Sequence, residues 1–468
     1  MTLQENETAE PKDPVSRCHR ILAEPGVASA TYEALVAGQL DRGLEHDDRP
    51  LSRALRPRLL PAAESRVWAE AGRLVARAAR RLATQLVDCD LARAMGAEIV
   101  LDHVEAALAR LPYPGQEPSL LGRLDGFGSG RDLRFVEYNA DSCSCLIAQE
   151  PLAHLYTSTP AMRELSRTAR IEPAPALDRI VDQLLHAWQA AGEPGAAPHV
   201  AVLDWPEGAW LAEFELIRSV FEARNIPALV CTPDELSFSA AGLMARTADG
   251  RDHPITLIYR RVLAGDLHYR YGSDLLEHPL VTAAAAGACA VVNPLAADLV
   301  QRKTLFALLS DERVLCWLPA DEAAAVRRHV PWSRPVIAGR TVYQADQVDL
   351  LEFASTHRER LVLKPDNGYA GHGVVCGWDT SPARWDMQLK KALTTPHVLQ
   401  ERVRVPMEHY PYLHDGHLAF QHRIQGTDAM LVGDDVIGCV TRTATTSLVN
   451  VATGGDLIPV LTTSPLNT

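Results

Sequence analysis

No stretch of this 468-residue chain approaches the roughly 18 uninterrupted apolar residues that a membrane-spanning helix needs. Its first residues, MTLQENETAEPKDP, are acidic and polar where a secretory leader would be basic and then apolar. A cytoplasmic protein with no membrane partner is therefore expected. The Walker pattern G-x-x-x-x-G-K-[ST] is absent, and so is G-x-G-x-x-G, which removes P-loop chemistry and a dinucleotide-dependent oxidoreductase from the main readings. With a net charge of -13 the chain has no surplus of positive charge to neutralise phosphates, so no nucleic-acid partner is expected. Nine cysteines, an odd number scattered from Cys18 to Cys439, follow no disulfide framework and read as reduced thiols. Only Cys143 and Cys145 stand close. Their C-x-C spacing has no second pair to complete a zinc site, so small buried thiols are expected there.

What the chain does have is a change of texture along its length. The first dozen residues read as a disordered tail. From Pro14 to about Arg110 the sequence is rich in Ala, Leu and Arg with helical recurrence, for example Val67, Ala71, Leu74, Val75, Ala78 and Leu82. The arginines from Arg73 to Arg81 read as the solvated face of such a helix. Near Leu121 short apolar runs begin: LLGRLDGF, the turn GSGRD, then LRFVEYNAD, in which Leu133, Phe135 and Tyr138 mark the buried side. After a proline-rich break near Glu172 to Pro175 come HVAVLDW, an amphipathic stretch from Ala209 to Arg224, IPALVCT, ITLIYRR and VVNPLAADLV. This β-α-β rhythm predicts a parallel, Rossmann-like sheet. The last third holds a helix with Lys303, the run RLVLKPDNGYAGHGVVCGW, VLQERV, and two or three strands ending in GGDLIPVL.

Two segments carry chemistry. In LVLKPDNGYAGHGVV, Lys364 ends an apolar strand and Gly368, Gly371 and Gly373 follow in a loop. Glycines let backbone N–H groups turn toward a phosphate, and the ammonium supplies the opposing charge. A plain hairpin that uses glycines for its turn is the alternative. In GRLDGFGSGRDLRFVEYNAD, Glu137 and Asn139 share one face of a strand, and the preceding strand can bring Asp125 alongside. Two carboxylates and an amide suit Mg2+ with a nucleotide; a turn-forming aspartate and a surface glutamate are the alternative. At the end of LIYRR, one of Arg260 and Arg261 is expected to meet a substrate carboxylate, the other option being a buried ion pair.

Taken in order, these segments resemble the circularly permuted branch of the ATP-grasp superfamily, which includes glutathionylspermidine synthase-like ligases. The resemblance runs from about Gly122 to Pro459: Arg123, Asp125, Glu137 and Asn139 come first, followed by LIYRRVLAGDL, AVVNPLAADLVQRKTLFALLSDE, the lysine and glycine loop, QERV and TRTATTSLVNVATGG. It implies an α/β (α+β) fold with four parts: a tail and helical region at 1–115, metal-binding strands at 116–170, a Rossmann-like substrate subdomain at 171–298, and nucleotide-binding subdomains with a glycine-rich flap at 299–468.

Residue by residue, the resemblance makes Asp125, Glu137 and Asn139 the Mg2+ ligands, and Lys303 and Lys364 the lysines that bracket the phosphates of ATP. Gly368, Tyr369, Ala370, Gly371 and Gly373 form the flap. Gln400, Glu401 and Val403 form the adenine hinge, and Glu408 holds the ribose hydroxyls. Arg442 faces the transferred phosphate with Lys364, Arg261 meets substrate, and Asn450, Gly454 and Gly455 shape the acyl-phosphate pocket. The loop departs from many relatives at Ala370 and His372. The implied reaction joins a small-molecule carboxylate to an amine (amino acid, peptide or polyamine) through an acyl phosphate. A kinase that stops at phosphoryl transfer and a non-catalytic nucleotide binder remain as alternatives, and a homo-oligomer is left open.

Overall fold

The computed structural model describes residues 13–46, 48–88, 100–207, 210–247, 250–369, 371–446, 449 and 454–466. The expected N-terminal tail lies outside them, as do Ala370 and Asn450. Strand β1 (Arg58–Pro61) runs directly into the long helix α1 (Ala62–Asp88). Trp68, Ala71, Val75, Ala78 and Leu82 recur at helical spacing and are buried, so this stripe packs onto a sheet. Gly72 permits the close approach, because a Cβ there would stand 2.9 Å from Cγ2 of Val436. Of the arginines expected on the solvated face of α1, Arg73, Arg77 and Arg81 are exposed or half-exposed, and Arg80 is the exception. Arg80 is buried and pairs with Asp434, while Arg81 donates to both oxygens of buried Glu322 at 3.0 Å. A helix at Ala320–His329 packs along α1 and covers that side.

Strands β2 (Leu121–Phe127) and β3 (Arg134–Asn139) form the expected antiparallel hairpin. Asp125 lies opposite Glu137 and Arg123 opposite Asn139, but the register then shifts so that Gly126 faces Phe135 and Val136 is left over. This β-bulge corrects the simple alternation expected for the strand. Phe135 and Tyr138, three residues apart, both face the core, where Phe135 meets Trp68 edge-on with ring centroids 5.7 Å apart.

Strand β4 (Ala169–Glu172) is followed by β5 (Val200–Leu203), β6 (Ala228–Cys231), β7 (Leu257–Arg260) and β8 (Ala290–Val292). The last four pair parallel in the order β8-β7-β5-β6, with helix α2 (Leu211–Ala223) connecting β5 to β6. The parallel sheet read from the sequence is present, and β5 and β7 are buried throughout, as their unbroken apolar runs require.

Helix α3 (Lys303–Leu309) leads to an antiparallel sheet ordered β9-β12-β10-β11: β9 (Ser333–Pro335), β10 (Leu361–Pro365), β11 (Val375–Cys376) and β12 (His397–Glu401). Four strands follow where two or three were expected: β13 (Met407–His414), β14 (His417–Val432), β15 (Asp435–Ala444) and β16 (Asp456–Pro465). They join the N-terminal strands in one sheet ordered β1-β16-β15-β14-β2-β3, with β13 on β14 and β4 on β16. Residues from the first and last quarters of the chain therefore share one core.

The large sheet meets the parallel sheet at Asn293, just beyond β8. Its buried amide accepts from the N–H groups of Leu120 and Leu121 (2.8 and 2.9 Å) and donates to the carbonyls of Leu121, Ala140 and Asp141 (2.7, 2.8 and 3.0 Å). Arg260, also buried, pairs with Asp141 and donates to the carbonyls of Asn293 and Pro294 at 3.0 Å each. Truncation to Asn293→Ala strands several buried backbone groups together and should cost about 3 kcal/mol or more, read as a lower urea midpoint; a shift of less than about 1 kcal/mol would show the joint to be dispensable.

Candidate active site

A cavity of about 600 Å³ lies where the three sheets converge. The bulge in β3 organises one wall. Because Val136 has no partner on β2, its carbonyl is free to accept from Lys364 Nζ at 3.1 Å and from Gln400 Nε2 at 3.0 Å. Gln400 Oε1 accepts a second hydrogen bond from Lys364 Nζ at 2.8 Å. Burial lowers the pKa of Lys364 to about 8, with Lys303 adding to the shift and Glu137 opposing it. Lys303 donates to the carbonyl of Gly368 at 2.5 Å and stands 3.6 Å from Glu137 Oε2. Asp366, two residues beyond Lys364, accepts from the N–H of Thr304 at 2.7 Å, so the base of the flap fixes the start of α3 and with it Lys303.

Arg442 on β15 is clamped by two carboxylates. Its Nε donates to Asp428 Oδ2 at 2.7 Å and its Nη2 to Asp125 Oδ2 at 2.6 Å, leaving Nη1 without a protein partner among the described residues. Arg123 holds Asp125 from the other side, at 2.7 and 3.2 Å. Burial alone would raise Asp125, but the Arg123 and Arg442 guanidiniums outweigh it and hold the carboxyl well below the usual range. Burial raises Asp428 to about 6, opposed by Arg442.

The flap begins at Gly368 and lines the cavity with Tyr369, Gly371 and His372. Gly371 and Gly373 have φ of +76° and +73°, and a Cβ on Gly373 would stand 2.7 Å from Pro365 Cγ, so these two positions require glycine. Ala370 lies outside the described residues.

Several expected site residues are thus brought together: Glu137, Asn139, Lys303, Lys364, Gly368, Tyr369, Gly371, Gln400, Glu401, Val403 and Arg442 all line the cavity. Asp125 lines it too: its oxygens accept from Arg123 and Arg442, and its carboxylate lies beside that of Glu137 across the strand pair. Glu137 and Asn139 lie on one face and line the cavity, so a carboxylate and an amide oxygen stand where a hard cation could use them. Among the described residues no group of three His, Cys, Asp or Glu side chains could hold a metal, and the expected set of two carboxylates and an amide is not such a group. The amide oxygen of Gln400 accepts from Lys364, and its nitrogen donates to the carbonyl of Val136 and to Ser333 Oγ.

Others are corrected. Glu408 is absent from the cavity wall; its carboxylate pairs with fully buried Arg56. Arg260 is the buried ion pair with Asp141. Arg261 does reach the wall, yet its charge is taken by Glu213 at 2.9 Å and by the carbonyl of Cys143, so it is not free for a substrate carboxylate. Gly454 and Gly455 do not line the cavity. Sequence reasoning missed Asp366, Asp428 and Asp204. For Asp428 a signal existed: a carboxylate inside the apolar strand run TDAMLV demands a buried cation, the argument that marked Lys364.

With this geometry in hand, a glutathione synthetase-like effector from Globodera pallida superposes with a TM-score of 0.61, covering 94% of this chain and 98% of that one at 13% identity. The chain has the glutathione synthetase-like fold. No family model matches it. Two curated relatives are a Frankia alni protein named "Putative glutamate--cysteine ligase 2-3", 25% identical over 255 residues, and its Frankia casuarinae counterpart 2-2, 26% identical over 243. These matches cover 53% and 51% of this chain but only about a quarter of each relative's length, 27% and 26%.

The arginine clamp predicts a pH signature. Asp125→Ala leaves two buried guanidiniums with one carboxylate between them and should cost about 3–5 kcal/mol in urea unfolding at neutral pH. Because the folded-state pKa of Asp125 is depressed, its contribution is complete above the ordinary value of 3.8 and is lost as pH falls below it; the variant should therefore converge on the wild type in acid.

Proposed function

We propose that this chain is an ATP-dependent carboxylate–amine ligase, with an ATP-grasp core in circularly permuted order and a Rossmann-like substrate subdomain, acting in the cytoplasm through an acyl phosphate. The observation that carries this reading is the convergence of Lys303, Lys364 and Arg442 with Glu137 and Asn139 on one side of the cavity. Three cations there suit a polyphosphate, and phosphoryl transfer asks a protein for positioning and charge more than for a nucleophile. Beside them Val362, Val374, Trp378 and Val403 line an apolar slot of the kind a purine fills. The ligase names of both curated relatives support the class.

In this reading Lys364, held by Val136 and Gln400, and Lys303, held by the flap, neutralise the phosphates. Arg442 turns its free Nη1 to the transferred phosphoryl group, and the flap excludes water from the acyl phosphate. Glu137 and Asn139 would hold Mg2+, whose charge offsets that of the phosphates.

The test is incubation with ATP, Mg2+ and pools of amino acids, short peptides and polyamines, following ADP, phosphate and product mass. ADP formation that requires both an acid and an amine, with an adduct lighter than their sum by water, is expected; a phosphorylated product released without amine would make the protein a kinase. Glu137→Ala should lower turnover by about 100-fold or more, and turnover within about threefold of wild type would remove its role. Lys364 gives a second readout. Its lowered pKa means that ATP binding at about pH 8.5 should take up a proton, visible in calorimetry as a heat that depends on the buffer's ionisation enthalpy and lost in Lys364→Met.

A further inference from the structure

The cavity has a second lobe, at the carboxyl ends of β5 and β7, whose chemistry the phosphate side does not explain. Asp204 and Glu207 follow β5, and Asp266 lies in the helix Ala264–Tyr271 that follows β7. Every other carboxylate on the cavity wall has a cation within 4.0 Å: Asp125 and Asp428 face Arg442, Glu137 faces Lys303, and Glu401 faces Arg360. Among the described residues these three have none. Asp204 accepts a single hydrogen bond, from the N–H of Trp205 at 2.8 Å, and no hydrogen bond involves the Asp266 carboxylate.

The arginine of this lobe, Arg261, makes its ion pair with Glu213 and acts on Asp204 only at longer range. The Arg261 side chain is 8% exposed, and its Nε–H is buried without an acceptor among the described residues. An anionic donor carboxylate would be repelled here and drawn to the cations at the other end; an ammonium would be attracted.

We propose that this lobe is the acceptor subsite, that it binds the amine as an ammonium between Asp204 and Asp266, and that Asp204 is the catalytic base that takes its proton. The inference rests on the ligase reading above. An ammonium has no lone pair, so one proton must leave before attack. Asp204 accepts it and becomes a neutral carboxylic acid. The freed amine attacks the acyl carbon of the acyl phosphate, the C–N bond forms, and the bond from that carbon to the phosphate oxygen breaks. The second proton of the nitrogen leaves with the phosphate as hydrogen phosphate, so atoms and charge balance.

The environment of Asp204 suits the task. Burial raises its pKa to about 6, Arg261 and Arg260 oppose the shift, and Asp266 adds to it. Tyr369 reaches the same lobe from the flap, its own hydroxyl feeling Asp266 and Asp204. The base form is therefore present above about pH 6 and lost below it.

Hydroxylamine separates this step from the earlier ones. It is largely uncharged at neutral pH, needs no deprotonation before attack, and converts an acyl phosphate to a hydroxamate. In Asp204→Asn, hydroxamate formation with ATP and the donor acid should stay within about threefold of wild type, while coupling to the ammonium-type amine found for the wild type falls by about 100-fold. Asp204→Glu should restore part of the amine coupling together with its loss on acidification. If Asp204→Asn changes both acceptors by the same factor and Asp204→Glu restores neither preferentially, the base assignment is overturned. If the wild type yields neither ADP nor hydroxamate with any acid, it is the ligase reading that fails, and the base falls with it.

Discussion

The clamp on Arg442 is the constraint from which the rest of the architecture follows. A guanidinium held inside a protein costs several kcal/mol unless anions meet it with good geometry. The two anions that meet this one are Asp428, fourteen residues earlier on the neighbouring strand, and Asp125, 317 residues away in sequence. Strands from the first third and the last quarter of the chain must therefore lie side by side, and the order β15-β14-β2 is how the sheet accomplishes this. The same pairing lines up Asp428, Asp125 and Glu137 across three strands, so the demand for neutralisation and the placing of a functional carboxylate are met by a single register.

Much of this was legible in the sequence, where periodicity or an isolated charge spoke clearly. Unbroken apolar runs gave the parallel sheet, the turn GSGRD gave the hairpin, and Lys364 stood out because an ammonium closing the run LVLK needs a buried partner. The chain's scarcity of lysine sharpens the point, since Lys303 and Lys364 are two of only five. What could not be read was the choice of partner. Asp125 is legible as a carboxylate beside Glu137, but not the two arginines that hold it, and Glu408 is legible without the Arg56 found against it. Arg260 and Arg261 are adjacent in sequence yet serve different ends, one buried in the joint and the other on the cavity wall, because successive residues of extended backbone point to opposite sides.

The cavity is electrically divided. Cations crowd the end formed by α3, β10 and β15, and unpaired carboxylates line the end formed by the parallel sheet. Neither end is the work of one segment: the cationic end needs the bulge in β3 to hold Lys364, and the acidic end needs Glu213 on α2 to pair with Arg261. A polarity built from parts so far apart in sequence arises only when the fold is complete.

The extra residue in β3 also makes the strand a parity device. If the same residues formed a regular strand, Phe135 and Glu137 would point the same way, and either the aromatic would leave the core under Trp68 or the carboxylate would leave the cavity. One residue more than regular pairing allows lets six residues serve an apolar layer at one end and a charged wall at the other. It follows that the bulge residue is held by what its backbone does and not by register: removal of Val136 would leave Phe135 and Glu137 on their present sides in regular pairing, but would take away the carbonyl that Lys364 and Gln400 share.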